Sequence, residues 1–215
     1  VGGESYAFRH ALLAEAVYDD LLPGERVRLH AAYASALADH RADGTAAELA
    51  RHARLAHDPV TAVRASVEAG DEAMSVGGPD EAAMHFETAL ELTADPRVCE
   101  LSLDPVDLAV KTVDALMASG HPERAVKLVK AQLAHLPAGA PAHHRARLLM
   151  SLASAVLSLD NAGDPLELTT DALALVPDEP GVETKPMFGN LGAFVHGHMF
   201  RGLFGSAAGV KLDEP

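Results

Sequence analysis

The 215-residue chain has no tryptophan and few other aromatics, three tyrosines and six phenylalanines, or 4% in all. A β-sandwich core is built largely from aromatic and β-branched residues, so this scarcity argues against one. Cys99 is the sole cysteine. That excludes an internal disulfide framework and any cysteine-based zinc cluster, and it fits a reducing, cytoplasmic compartment. Basic residues are outnumbered, 17 Lys and Arg against 31 Asp and Glu, for a formal net charge of −14. A nucleic-acid binder needs a basic face to displace counterions, so direct nucleic-acid binding by this chain is not expected. No apolar run approaches the roughly 20 residues that cross a bilayer, and no charged-then-apolar signal peptide opens the chain, so no membrane partner is expected.

What is present is alanine, 41 residues of it. Alanine is the best helix former, and its small side chain lets helices approach closely, so the composition points to a mainly α fold. An amphipathic pattern within a few residues of Val1 reads as a segment cut from something longer. The charge is uneven. Residues 1–57 carry 6 basic and 8 acidic side chains, residues 58–180 carry 8 and 20, and residues 181–215 carry 3 and 3. The acidic middle block has two readings, a solvated outer face or a surface for a basic partner.

Tyr6-Ala7-Phe8 is short and apolar, in the manner of an edge strand. Leu13, Val17 and Leu21, with Leu12 and Ala16 beside them, then form one helical stripe between Arg9 and Leu22. Pro23-Gly24 breaks it, and a second helix runs through Arg26, Leu29, Tyr33 and Leu37 to about His40. Thr45 is a candidate N-cap for a helix over 46–57, and Asp58-Pro59 opens another that runs to about Val76.

Beyond this point the chain repeats. Pro79, Pro122 and Pro165 are each 43 residues apart, and each opens a helix. Phe86, Val129 and Ala172 fall in register, as do Leu90, Leu133 and Val176. Gly77-Gly78, Gly120 and Asn161-Ala162-Gly163 break the chain before each proline, and an Ala-rich helix precedes each break, over 62–74, 106–117 and 146–159. Helical hairpins at a fixed period imply a tetratricopeptide-like α-solenoid, because one hairpin cannot bury its own apolar face. The period exceeds the 34 residues of a standard tetratricopeptide repeat, with segments such as Thr93 to Leu103 absorbing the excess. The alternative is an irregular helical bundle with coincidental prolines.

After Val176 the character changes. Pro177 to Gly181 reads as a linker, and four of the six phenylalanines, Phe188, Phe194, Phe200 and Phe204, crowd into the segment that follows among glycines 189, 192, 197, 202 and 205. These residues predict a small C-terminal β-meander, with Gly197 turning a hairpin and Gly209 to Leu212 as a third strand. Such a sheet is marginal alone and is expected to dock on the last helical hairpin through its aromatic rings.

The chemistry is sparse. No Gly-x-x-x-x-Gly-Lys-Ser/Thr run occurs, and the tail glycines alternate with bulky apolar residues and are no phosphate cradle. Ser5, Ser35 and Ser151 lack a nucleophile motif, and nothing assembles an acid–base pair. The twelve histidines are mostly scattered on polar helix positions. His143 and His144 are adjacent and point about 100° apart on a helix. His196 and His198 have no carboxylate cluster beside them, so no metal is expected. The chain is expected to be no enzyme and to hold no cofactor.

Two resemblances add to this reading. Tyr6-Ala7-Phe8-Arg9-His10-Ala11-Leu12-Leu13 through Tyr18-Asp19-Asp20-Leu21-Leu22-Pro23-Gly24-Glu25-Arg26, with Leu29-His30, resembles large bacterial LuxR-type transcriptional regulators of the signal-transducing ATPase class. The likeness is strongest in the first third and extends over 5–178 as architecture. In that family this segment joins the end of an ATPase module to a tetratricopeptide-like sensor array. The resemblance implies that His10, with Arg9 beside it, contacts nucleotide when an ATPase core is present. The alternative is a structural His10 that caps the helix or packs at a domain junction. Neither the family's ATPase core nor its helix-turn-helix domain lies within these residues, so ATP hydrolysis and DNA binding are not credited to them.

Glu183-Thr184-Lys185-Pro186-Met187-Phe188-Gly189 with Gly192-Ala193-Phe194-Val195-His196-Gly197-His198-Met199-Phe200 resembles the N-terminal domain of TfoX/Sxy-type competence regulators, truncated. The expected organisation is a helical linker over 1–57, helical repeats over 58–178, a linker over 179–184 and a TfoX-like β segment over 185–215. The expected role is a binding scaffold whose solenoid face takes a protein, a peptide or a small-molecule inducer. A TfoX-like regulator with an accessory helical domain and a subunit of a split ATPase are the rival readings.

Overall fold

The computed structural model describes residues 10–99, 101–159 and 165–175, together with the strand backbones 182–187, 190–195, 198–204 and 207–210. Over these residues the protein is mainly helical. The helices are α1 (Ala11–Asp20), α2 (Pro23–Ala38), α3 (Ala46–Leu55), α4 (Pro59–Ser75), α5 (Pro79–Leu92), α6 (Pro105–Ala118), α7 (Pro122–His135), α8 (Ala142–Val156) and α9 (Pro165–Leu173). A 3₁₀ turn, Pro96–Val98, lies between α5 and α6. The predicted strand at Tyr6-Ala7-Phe8 lies outside the described residues.

Proline sets most of the starts. Six helices begin on a proline, whose missing N–H is one the first turn leaves unpaired anyway. Side chains supply several remaining caps. Thr45 Oγ1 accepts from Glu48 N at 3.2 Å while Glu48 Oε2 accepts from Thr45 N at 3.0 Å, a reciprocal capping box at α3. Asp58 Oδ1 accepts from Thr61 N at 3.1 Å to open α4, and Asp104 Oδ1 from Val106 N at 2.9 Å to open α6.

The ends are equally regular. At the C-termini of α2, α3, α4 and α6 one residue turns left-handed: His40 (φ 53°), His57 (φ 57°), Gly77 (φ 78°) and Gly120 (φ 78°). In each case the next N–H reaches back to the carbonyl five residues earlier. These bonds are Arg41 to Ala36 (2.8 Å), Asp58 to Ala53 (2.9 Å), Gly78 to Ala73 (2.8 Å) and His121 to Leu116 (2.8 Å). This is the Schellman closure, which satisfies carbonyls the helix end leaves open. After His57, Gly77 and Gly120 the chain passes through one capping residue to a proline, so three inter-helix turns share one geometry.

Packing runs mostly between chain neighbours. Each of α2 to α8 packs on the helix that follows it, and α6 also touches α8. Burial repeats with the 43-residue spacing. Phe86, Val129 and Ala172 are all buried in α5, α7 and α9. The same period holds in the helices between them, where Val63, Val106 and Leu149 are buried, as are Ser66, Ala109 and Leu152. The main core spans α4 to α8 around Phe86, Leu116 and Leu148. Gly70 makes room for Phe86: a Cβ there would lie 2.4 Å from the ring.

Ion pairs bridge the hairpins at a similar spacing. Lys111 reaches back from α6 to Asp71 in α4 (2.6 Å), and Arg124 from α7 to Glu87 in α5 (2.7 Å). Arg147 reaches from α8 to Asp107 and Asp104, and His144 lies 3.3 Å from Asp104. The link between α5 and α6 is pinned by Arg97, which forks onto Asp95 (2.7 Å) and donates to the carbonyl of His57 (2.9 Å).

At the amino-terminal end the apolar stripes turn out differently from the sequence reading. Leu12, Leu13 and Val17 of α1 are exposed, Leu12 by 77%. In α2 the buried residues are His30, Ala34 and Leu37, while Leu29 and Tyr33 face outward. On that inward face Ala34 meets Ala53 of α3 and Ala62 of α4 in a second, minor cluster.

The tail backbone forms β1 (Val182–Met187), β2 (Asn190–Val195), β3 (His198–Phe204) and β4 (Ala207–Val210), antiparallel in the order β1-β2-β3-β4. β1 begins inside the segment read as a linker over 179–184, and it adds a strand to the three expected. It is an edge strand, which is where Pro186 is tolerated, since proline has no N–H for a second neighbour. β2 lies beside α9.

Candidate functional site

His10 stands where the sequence placed it, at the N-terminus of α1. Its backbone is extended (φ −131°, ψ 130°), and its carbonyl accepts from Leu13 N at 3.0 Å. Its side chain makes no capping bond and is exposed. Arg9 lies outside the described residues, so the pair implied by the family resemblance is described only at His10. The side chains of His196 and His198 also lie outside them. His143 and His144, expected to diverge, have rings in edge-on contact, with centroids 4.4 Å apart. Among the described residues no three His, Cys, Asp or Glu side chains gather as metal ligands. No described helix is long and apolar enough to cross a membrane.

A connected polar arrangement lies where α1, α2 and α3 meet. The Tyr18 hydroxyl of α1 is 2.9 Å from His30 Nε2 of α2, and His30 Nδ1 is 2.8 Å from His52 Nδ1 of α3. The Tyr33 ring closes over His52 at 4.6 Å between centroids. Arg26 stacks on Tyr18 at 4.7 Å, and its guanidinium also donates to the carbonyls of Leu21 (3.1 Å) and Asp19 (2.7 Å). His30 is buried and His52 half-buried. Burial first, and then the nearby positive charge of Arg51, hold His30 below the usual imidazole range. His52 is lowered by burial first, then by His30 and Arg51, with Glu48 opposing. Both rings are thereby kept neutral near neutral pH, each with one donor and one acceptor nitrogen.

Sequence reasoning missed this trio, because it placed the histidines on polar positions. The signal was there. His30, Ala34 and Leu37 follow i, i+4, i+7 spacing, and that spacing puts His30 on a buried helix face.

Beside this junction, a cleft of 640 Å³ opens between the α2–α3 connection and α4, lined by Leu37, His40, Thr45, Arg64, Glu68 and Glu72 among others. Its lining mixes polar and apolar side chains.

No protein-family profile, no curated protein and no solved structure matches this chain. The functional reading therefore rests on the residues themselves. They offer an exposed apolar end at α1, a buried histidine junction behind it, and a series of helical hairpins tied by ion pairs.

Proposed function

We propose that the chain is a non-enzymatic binding scaffold: the tetratricopeptide-like sensor array of a bacterial LuxR-type ATPase transcriptional regulator, carrying a small TfoX-like β-meander at its C-terminal end. The observation that carries this reading is the 43-residue recurrence of buried positions through α4 to α9, with the helices joined by repeated turns and clamped by ion pairs between successive hairpins. Stacked hairpins present a continuous lateral surface, and in this protein that surface takes a protein, a peptide or a small-molecule inducer. The exposed Leu12, Leu13 and Val17 of α1 support a second contact, with a neighbouring domain of the regulator.

Titration calorimetry with Mg-ATP, together with a phosphate-release assay, tests the non-enzymatic reading. The expected result is no hydrolysis and no affinity better than millimolar. A micromolar affinity that disappears in His10→Ala overturns the proposal in favour of a split ATPase subunit whose core is supplied by another chain.

A further inference from the structure

Tyr18, His30 and His52 form a chain of hydrogen bonds that joins three helices through two imidazoles facing each other by the same nitrogen type. With both rings neutral, one proton lies between the two Nδ1 atoms. When His30 Nδ1 donates it, His30 Nε2 accepts from the Tyr18 hydroxyl. When His52 Nδ1 donates it, His30 Nε2 donates to the Tyr18 oxygen instead. One added proton also fits, since a cationic His30 donates at both nitrogens. A second does not, because both Nδ1 atoms then carry hydrogen across 2.8 Å, and two cations face each other.

We propose that this junction is a proton-operated latch, in which double protonation of His30 and His52 detaches the α1–α2 pair from the α3–α9 body. The surroundings favour release once both rings are charged. The charged and titratable groups facing the pair are Tyr18 from α1, Arg26 and Tyr33 from α2, and Glu48 and Arg51 from α3. Two of these are fixed cations, and Glu48 is engaged in capping α3. The apolar contact that holds α2 in place is minor beside the main core: Ala34 against Ala53 and Ala62, with Leu49 and Leu92 beside them, and the buried Leu37 one turn further along α2. α2 is followed by the left-handed His40 and a short connection to Thr45, so the pair pivots about one loop.

Amide hydrogen exchange on the full chain, corrected for intrinsic rates, tests the latch between pH 7.5 and 5.0. Protection of α2 relative to α6 is expected to fall about tenfold or more, over the pH range in which the His30 and His52 ring resonances titrate. His52→Asn keeps a hydrogen-bonding partner for His30 Nδ1 but cannot titrate, and it should hold that ratio within about twofold. A pH-independent ratio in the wild type overturns the proposal. So does a parallel loss in α2 and α6, or an undiminished fall in His52→Asn. If His52→Asn does not fold, the wild-type ratio and the ring titrations decide by themselves: a fall in α2 protection that does not track the two rings is contradictory.

Discussion

Gly70 and Phe86 illustrate how much a single position carries. The Phe86 ring lies fully buried against the α4 backbone, and only a residue without a side chain leaves it that space. Gly70→Ala would put a methyl 2.4 Å from a ring that the core holds in place, so we expect a loss of about 1–3 kcal/mol in urea unfolding. Phe86→Leu combined with Gly70→Ala should lose less than the two single effects added, since the smaller side chain frees the site; full additivity would show that the contact is not the cause. Sequence reading put Phe86 in the core through its register with Val129 and Ala172. It gave no reason for Gly70, because a glycine inside a helix is explained by what approaches it from another element. His30 was missed for a related reason: a histidine is buried when a second polar group meets it, and His52 lies 22 residues away.

The helices were legible where their punctuation is local. Thr45, Asp58 and the prolines mark starts by chemistry within one turn, and the structure has α3, α4, α5, α7 and α9 beginning at those marks. Gly77 and Gly120 likewise mark ends. The turn after α3 uses the same left-handed geometry with His57, which carries no such signature. A non-glycine residue there costs about 1 kcal/mol, so His57→Gly should raise stability by roughly that amount, and Gly120→Ala should lower it similarly. Thermal or urea unfolding of both variants checks this. Changes of the same sign in both, or none in either, would mean that the backbone angle does not set the cost. In α2 the sequence offers two competing faces, Leu29 with Tyr33 and His30 with Ala34 and Leu37. Leu13, Val17 and Leu29 read as apolar stripes but are exposed, and α2 turns His30, Ala34 and Leu37 inward instead.

At the scale of the whole molecule, each hairpin is covered by its neighbours, so a local defect should be felt locally. The tail belongs to the same account. With β2 beside α9, deleting residues 181–215 should lower the melting temperature or promote association, whereas an unchanged melting curve and solubility would assign the tail no structural role. The 43-residue period was readable because prolines and breakers mark it, while the pairing of Asp71 with Lys111 and of Glu87 with Arg124 required the packed helices. We propose that α4 to α9 are a stack stabilised between nearest neighbours. Native-state hydrogen exchange on the full chain carrying Leu152→Ala in α8 tests it most directly. Protection is expected to fall most in α6, α7 and α8 and to recover progressively through α5 and α4 to α3, whereas an equal loss from α3 to α8 is what a single irregular bundle would give and would rule the stack out.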